Sequence, residues 1–383
     1  MEDLEGVENM KIARIYGIDI KLRPSTLLIV GLVGFYAASF YYSLVPNPSL
    51  FDLILVGVVS GFVLLFSILA HELMHSIVAQ KYGLKVSEIE LYLFGGASKI
   101  EEEPRTPKSE MIIAAVGPLT SIVIGGILLL IIFLFPIGIY PLLYVPIFYS
   151  GYSNILLGIF NLLPAFPMDG GRVLRAFLWS RRHDIISATK TASRIGSVFA
   201  YGLIGFGFIQ MLLYGFLNGL WFVIIGFFLN GQTRQSYLQT LNEITLSRIR
   251  AKDMISMPLL EIPFDMTVEQ ALRNYFMVYR KSYFPVSKSG KIVGILPIED
   301  IRKIPAYKRS QYIVGYAMRN ASNFPKIDEK DNGKEAWKKL MNMKSRPHLV
   351  AVQESGEDYI LGFIGEDDLV SSLKFCQDNP EKC

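Results

Sequence analysis

Ser67-Ile68-Leu69-Ala70-His71-Glu72-Leu73-Met74-His75-Ser76 is the stretch on which the reading of the chain turns. Two histidines stand four residues apart, with a glutamate directly after the first. On a helix, positions i and i+4 share a face, so His71 and His75 can address one metal ion with Glu72 beside them as a general base. The stretch sits in a run, 50–80, apolar enough to belong in a bilayer. A charged side chain inside a span costs roughly 2.5–3.5 kcal/mol on insertion scales. A sequence that carries that cost within one turn of helix has a use for the residues.

Composition agrees with a membrane setting. Of 383 residues, 51% are hydrophobic and only 19% charged, and the mean hydropathy is +0.35. That is the profile of a polytopic α-helical membrane protein. A net charge of +4 gives no bulk electrostatic case for nucleic acid. Cys376 and Cys383, both in the polar tail, are too few for a disulfide framework. Glu2, Asp3, Glu5 and Glu8 precede the first basic residue, unlike the basic start of a cleavable signal peptide, so the first span is expected to be retained.

Working outward, the segment around Ile15, Ile18, Ile20 and Leu22 reads as short strands ahead of the membrane. Six apolar segments then follow that can span, each needing about 20 residues: 26–44, 51–80, 112–135, 141–163, 193–214 and the shorter 217–230, the last two separated only by a turn at Gly215, so that one broken hairpin is the other reading. The connections between spans one and two, three and four, and five and six carry no Lys or Arg. The opposite connections carry Lys81, Lys85, Lys99, Arg105 and Lys108, then Arg172, Arg175, Arg181, Arg182, Lys190 and Arg194. Basic loops stay inside, so both termini are expected in the cytoplasm. At about 1.5 Å per residue, His71 lies about 14 Å and His75 about 7 Å from the cytoplasmic end of its span. The pair is therefore expected in the cytoplasmic half of the bilayer.

A catalytic zinc takes three protein ligands and a water. His183 falls in a basic loop and His348 in the polar C-terminal region, and Asp52 is about 28 Å along the same helix. Asp169 is the better third ligand. It follows Pro164 and Pro167, which must break the helix where the fourth span reaches the cytoplasmic side. Irregular backbone at membrane depth persists only where protein or a wet cavity surrounds it. Asn161, polar in an apolar span, is a candidate for holding an oxyanion or the substrate backbone, or else an interhelical hydrogen bond. Asn154 reads as packing.

His71 to His75, Asn161 to Arg172, and Gly117-Pro118 early in the third span together resemble the site-2 protease family of intramembrane zinc metalloproteases. The resemblance covers the whole membrane region. It implies one Zn2+ per chain on His71, His75 and Asp169, Glu72 as catalytic base, and hydrolysis of peptide bonds in or near transmembrane segments of membrane-protein substrates. It also implies a small membrane-associated sheet at 86–100, where Ile89, Leu91 and Leu93 alternate with Glu88, Glu90 and Tyr92 and a turn falls at 94–97. An exposed edge there could pair with an extended peptide; the other reading is a plain cytoplasmic hairpin.

Hydropathy falls after Asn230, and 231–250 reads as a linker or short helix. From Ala251 two similar units follow: Met254 aligns with Met318, Ala271 with Ala336, Val286 with Val350 and Gly294 with Gly362. Each reads as strand, helix, two strands, helix. The repeat resembles a pair of CBS domains, an α/β module that often binds ATP, ADP or AMP and often dimerises, so the resemblance implies an adenine nucleotide ligand and a homodimer. Asp300 and Asp368 are the acids that could take ribose hydroxyls, but the family's Ser or Thr position is Pro297 in one copy and Gly365 in the other. A nucleotide-responsive module and a purely structural or dimerising one both stay open.

These readings divide the chain into an N-terminal cytoplasmic segment (1–24), a transmembrane domain (25–231), a linker (232–250), CBS domains at 251–308 and 309–374, and a polar tail (375–383). A CBS-regulated transporter or channel, with the His/Glu/Asp cluster as an ion site, is the alternative function. It does not explain a glutamate placed between two histidines at metal spacing.

Overall fold

The computed structural model describes residues 10–92, 95–100, 103–135, 140–255, 260–343, 347–356 and 359–379. The chain divides into two compact units, Met1–Leu238 and Gln239–Cys383.

In the first unit, strands β1 (Met10–Ile15) and β2 (Ile18–Leu22) precede α1 (Thr26–Leu44) and α2 (Leu50–Lys81). Then come β3 (Val86–Tyr92), β4 (Gly95–Ile100), α3 (Pro107–Leu134), α4 (Pro141–Asn161), α5 (Asp169–Arg182), α6 (Ile185–Tyr214) and α7 (Phe216–Arg248). All of these helices except α5 are long and apolar enough to cross a membrane. Their outward faces are lined by exposed Phe133, Leu212 and similar side chains, as lipid contact requires.

Local chemistry sets the helix starts. Ser49 and Asp52 form a capping box on α2, and Thr106 and Ser109 form another on α3, with Pro107 in its first turn. Small residues let the spans approach: a Cβ on Gly57 of α2 would lie 3.0 Å from the Gly34 carbonyl of α1.

The strands at both sequence sites meet in one sheet of order β1-β2-β3-β4. β2 runs parallel to β3, while the β1/β2 and β3/β4 pairs are antiparallel. Ile18, Ile89 and Leu91 of this sheet are buried in one cluster with Leu64 and Ile68 of α2. The sheet thus rests on the helix that carries the histidines. The hairpin expected at 86–100 is present, but residues 95–97, expected in its turn, belong to β4, and Leu93 and Phe94 lie outside the described residues.

Two expectations change. The basic connection after the fourth span is not a loop throughout, because α5 occupies Asp169–Arg182. Asp169 opens that helix. The second change is that α7 does not stop near Asn230 but runs unbroken to Arg248. Falling hydropathy marks where a helix leaves lipid; only a breaker ends it, and 232–248 contains neither Gly nor Pro.

The second unit contains two sheets, β5-β6-β7-β8 and β9-β10-β11. Their strands are β5 (Ile262–Pro263), β6 (Tyr283–Lys288), β7 (Lys291–Pro297), β8 (Arg319–Asn320), β9 (Lys326–Asp328), β10 (Leu349–Gln353) and β11 (Ile360–Gly365). Each copy pairs its first strand parallel to its second and its second antiparallel to its third. The repeat is therefore structural. Its register corrects one sequence equivalence: Val286 faces Gly294 and Val352 faces Gly362. Val352, not Val350, is the counterpart of Val286. The apolar run Leu349–Val352 is buried at every position, so sequence alone could not fix its phase.

Candidate metal centre

α2 brings His71 and His75 onto one buried face, each 4% exposed. α5 begins at Asp169 after the turn through Pro164 and Pro167, and its carboxylate meets both imidazoles. Asp169 Oδ2 lies 3.2 Å from His71 Nε2 and 3.2 Å from His75 Nε2. The two Nε2 atoms are themselves 3.2 Å apart. Among the described residues these three form the group able to hold a metal ion.

The triangle fits zinc on two counts. With bonds of about 2.0–2.1 Å, neighbouring corners of a tetrahedron lie about 3.3 Å apart. The ring nitrogens fit as well. His75 Nδ1 is 2.6 Å from the Ile113 carbonyl, an acceptor only, so it carries the proton. His71 Nδ1 lies 2.9 Å from Ser121 Oγ, a hydroxyl able to accept from it or donate to it. His75 Nε2 therefore presents a lone pair to a carboxylate, an arrangement that a cation resolves.

α3 supplies this surrounding shell. Ile113 and Ser121 orient the histidines, and Gly117 between them leaves the space: a Cβ there would overlap His75 Nε2 and lie 2.7 Å from His71 Nε2. Sequence reasoning singled out Gly117 through the resemblance but passed over Ser121, which lies one helical turn beyond it. Arg175 of α5 donates to Glu110 of α3 at 2.6 Å, with both side chains buried. Thr233 of α7 donates to the Phe166 carbonyl at 2.6 Å, holding the turn that precedes Asp169.

Glu72 accepts at Oε2 from the Ser98 hydroxyl of β4 at 2.9 Å. It is only partly buried and so can be reached. Asn161 closes α4 and donates to its own Leu157 carbonyl at 2.9 Å. One of its two N–H groups is thereby turned into its own helix and away from any oxyanion. Asn154 ties α4 to α2 through a 2.9 Å bond to Ser67, the packing role expected of it. His183 caps α5, and His348 pairs with Glu366; neither joins the triangle.

The family profile described as "Peptidase family M50" matches residues 60–148 and 136–203, the segments that carry this triangle, and the profile "CBS domain" matches 251–307. Zinc metalloprotease MJ0392 of Methanocaldococcus jannaschii is 32% identical over 376 residues, 96% of this chain and 97% of that protein. Rip3 of Mycobacterium tuberculosis is 31% identical over 306 residues, 79% of this chain and 78% of that protein. The chain belongs to peptidase family M50. It is a zinc metalloprotease of the site-2 protease family and an integral membrane protein. A solved structure, the site-2 protease from Methanocaldococcus jannaschii, aligns with 60% of this M50 chain and 94% of that chain at 32% identity, with a TM-score of 0.42.

The second unit of this M50 protein treats its two candidate acids differently. Asp300 is taken by Arg319, at 2.6 and 3.2 Å, and by Lys303 at 2.7 Å. The Arg319 guanidinium holds its carboxyl below the usual range. Asp368 instead lines a cavity of about 710 Å³ together with Arg280, Lys281, Tyr283 and His348. It accepts from the Gly365 backbone at 2.9 Å and from the Tyr283 hydroxyl at 3.3 Å. Burial, and then the Asp368 charge, push the Tyr283 phenol up, so it stays a donor.

Proposed function

We propose that this chain is an intramembrane endopeptidase that cuts membrane-protein substrates within or beside their transmembrane segments, on the cytoplasmic side of the bilayer. The observation that carries the reading is the equal-sided triangle of His71 Nε2, His75 Nε2 and Asp169 Oδ2 inside a six-span unit, with an acid directly after the first histidine. His71, His75 and Asp169 would hold the ion. Bound there, zinc supplies Lewis acidity and brings the pKa of a coordinated water toward about 7. Glu72 takes a proton from the attacking water and returns it to the leaving amine. Asn161 has one N–H left with which to meet an oxyanion or the substrate backbone.

A substrate helix has its amides bonded internally and must unwind before it is cut. β4 is the last strand of its sheet and lies against Glu72, so an extended peptide added to that edge would run past the base. The distribution of basic loops supports a cytoplasmic setting for both termini and for the CBS pair. The cavity beside Asp368 suits an adenine nucleotide, with Arg280 and Lys281 in its lining as the cations for phosphate. Such a ligand would make the proteolysis regulated, and paired CBS domains would also support a homodimer.

The test is co-expression with candidate single-span membrane proteins, comparing the chain with its Glu72→Gln form. Cleavage by the parent and none by a variant that still retains zinc is the expected result. Cleavage by Glu72→Gln would remove Glu72 from the mechanism.

A further inference from the structure

The inner face of β4 is built around Glu72. Residues 96 and 98, two apart on a strand, share that face. At 96 the chain has glycine, and a Cβ there would overlap Glu72 Cγ and sit 3.0 Å from Cδ. At 98 it has serine, whose hydroxyl lies 2.9 Å from Glu72 Oε2 and 3.2 Å from the Glu72 carbonyl. Ser76, fully buried one turn further along α2, donates to Ser98 Oγ at 3.0 Å. That bond occupies the serine's oxygen as acceptor and leaves its one proton for Glu72, with Oε2 the nearer target.

We infer that Ser98 is a positioning residue for the reaction: with Ser76 behind it and Gly96 making room, it aims the Glu72 carboxylate. The glutamate side chain has three rotatable torsions, and its carboxylate takes its hydrogen bond from β4. With no donor from β4 it would be free to swing toward the surface. A hydrogen bond to one carboxylate oxygen fixes its orientation and leaves the second oxygen for the water. The same strand is the one whose edge is proposed to take the substrate. Strand addition there would order Gly96 and Ser98 and so tie base alignment to occupancy.

This inference rests on Glu72 acting as base, so the test includes that variant. Ser98→Ala, Ser98→Thr, Glu72→Gln and the Ser98→Ala/Glu72→Gln double are purified as full chains, and zinc content, kcat and KM are measured on one substrate. Misplacement of a catalytic group by about 1 Å costs about 100-fold, so Ser98→Ala is expected to lose about 10- to 100-fold in kcat. Its KM and zinc content should stay at parent values, with kcat restored by Ser98→Thr. The double should be no worse than Glu72→Gln. Full kcat in Ser98→Ala alongside a dead Glu72→Gln overturns the positioning role and leaves the base in place. An active Glu72→Gln overturns the underlying reading. Loss of zinc in Ser98→Ala, or failure of Ser98→Thr to recover, makes Ser98 a packing residue and also overturns the inference.

Discussion

Arg175 on α5 donates its Nε–H to Oε1 of Glu110 on α3 across 2.6 Å, with Arg175 4% exposed and Glu110 wholly buried. The pair bridges the two helices that must stay in register for the metal centre. Glu110 stands three residues before Ile113, which orients His75, and Arg175 stands six residues after Asp169. Removing one member of a buried pair strands the other charge and costs about 3–5 kcal/mol. Arg175→Met should therefore lower thermal stability and zinc retention together. Adding Glu110→Leu should recover much of both, because Glu103, the other acid near Arg175, is partly exposed and can turn to water. Thermal unfolding in detergent with metal analysis reads this. A double variant as unstable as the single would show that the pair does more than cancel charge.

Ser121 orients His71 from outside the ligand set. Loss of such a partner typically weakens metal affinity about 10- to 100-fold. Ser121→Ala should release zinc to a competing chelator in that range, whereas Asp169→Asn or His75→Ala should fail to retain it after purification. A Ser121→Ala protein with parental zinc affinity would show that α2 packing alone sets the ring.

Gly117 tests the space instead of the ligands. A methyl group there would overlap His75 Nε2, while Gly126, also on α3, has nothing within 4 Å of an added Cβ. Gly117→Ala should give a folded, inserted protein with little zinc, and Gly126→Ala should keep both zinc and activity. Equal zinc content in the two variants would contradict the geometry.

Much of this site could be read in the sequence, because its signals are local or strongly patterned. His71, Glu72 and His75 fall within one helical turn and a half, and the two prolines before Asp169 announce a break at the right depth. What escaped belongs to contacts distant in sequence. The β2 to β3 pairing joins Asp19 to Glu88 in register across two spans, and nothing in either strand alone names its partner. Ser98 and Ser121 are small polar residues whose roles depend on what faces them. α5 was hidden because Gly170-Gly171 and a run of arginines read as a loop, while the arginine that matters, Arg175, is buried against an acid 65 positions away. In the second unit the hydroxyl-lacking positions Pro297 and Gly365 raised the question of nucleotide binding, but only three dimensions show that Asp300 and Asp368 are held by different partners.

That difference gives the last prediction. An acid can accept a ribose hydroxyl only if its oxygens are free to turn toward the ligand. Both oxygens of Asp300 already accept from cationic side chains, Oδ2 from Arg319 and Oδ1 from Arg319 and Lys303. A neutral hydroxyl donor would have to displace charge-assisted bonds that are roughly twice as strong. Asp368 lines the cavity and accepts from a backbone amide and a neutral phenol. Titration calorimetry with AMP, ADP or ATP should therefore find no more than one nucleotide per chain. Asp368→Ala should abolish the binding and Asp300→Ala should leave it unchanged. Arg319→Ala frees Oδ2 of Asp300 while Lys303 stays on Oδ1, and is the variant in which a second, weaker site is expected. Two equivalent sites in the parent, or loss of binding in Asp300→Ala, would show that the Arg319 ion pair opens readily and that the two copies act alike.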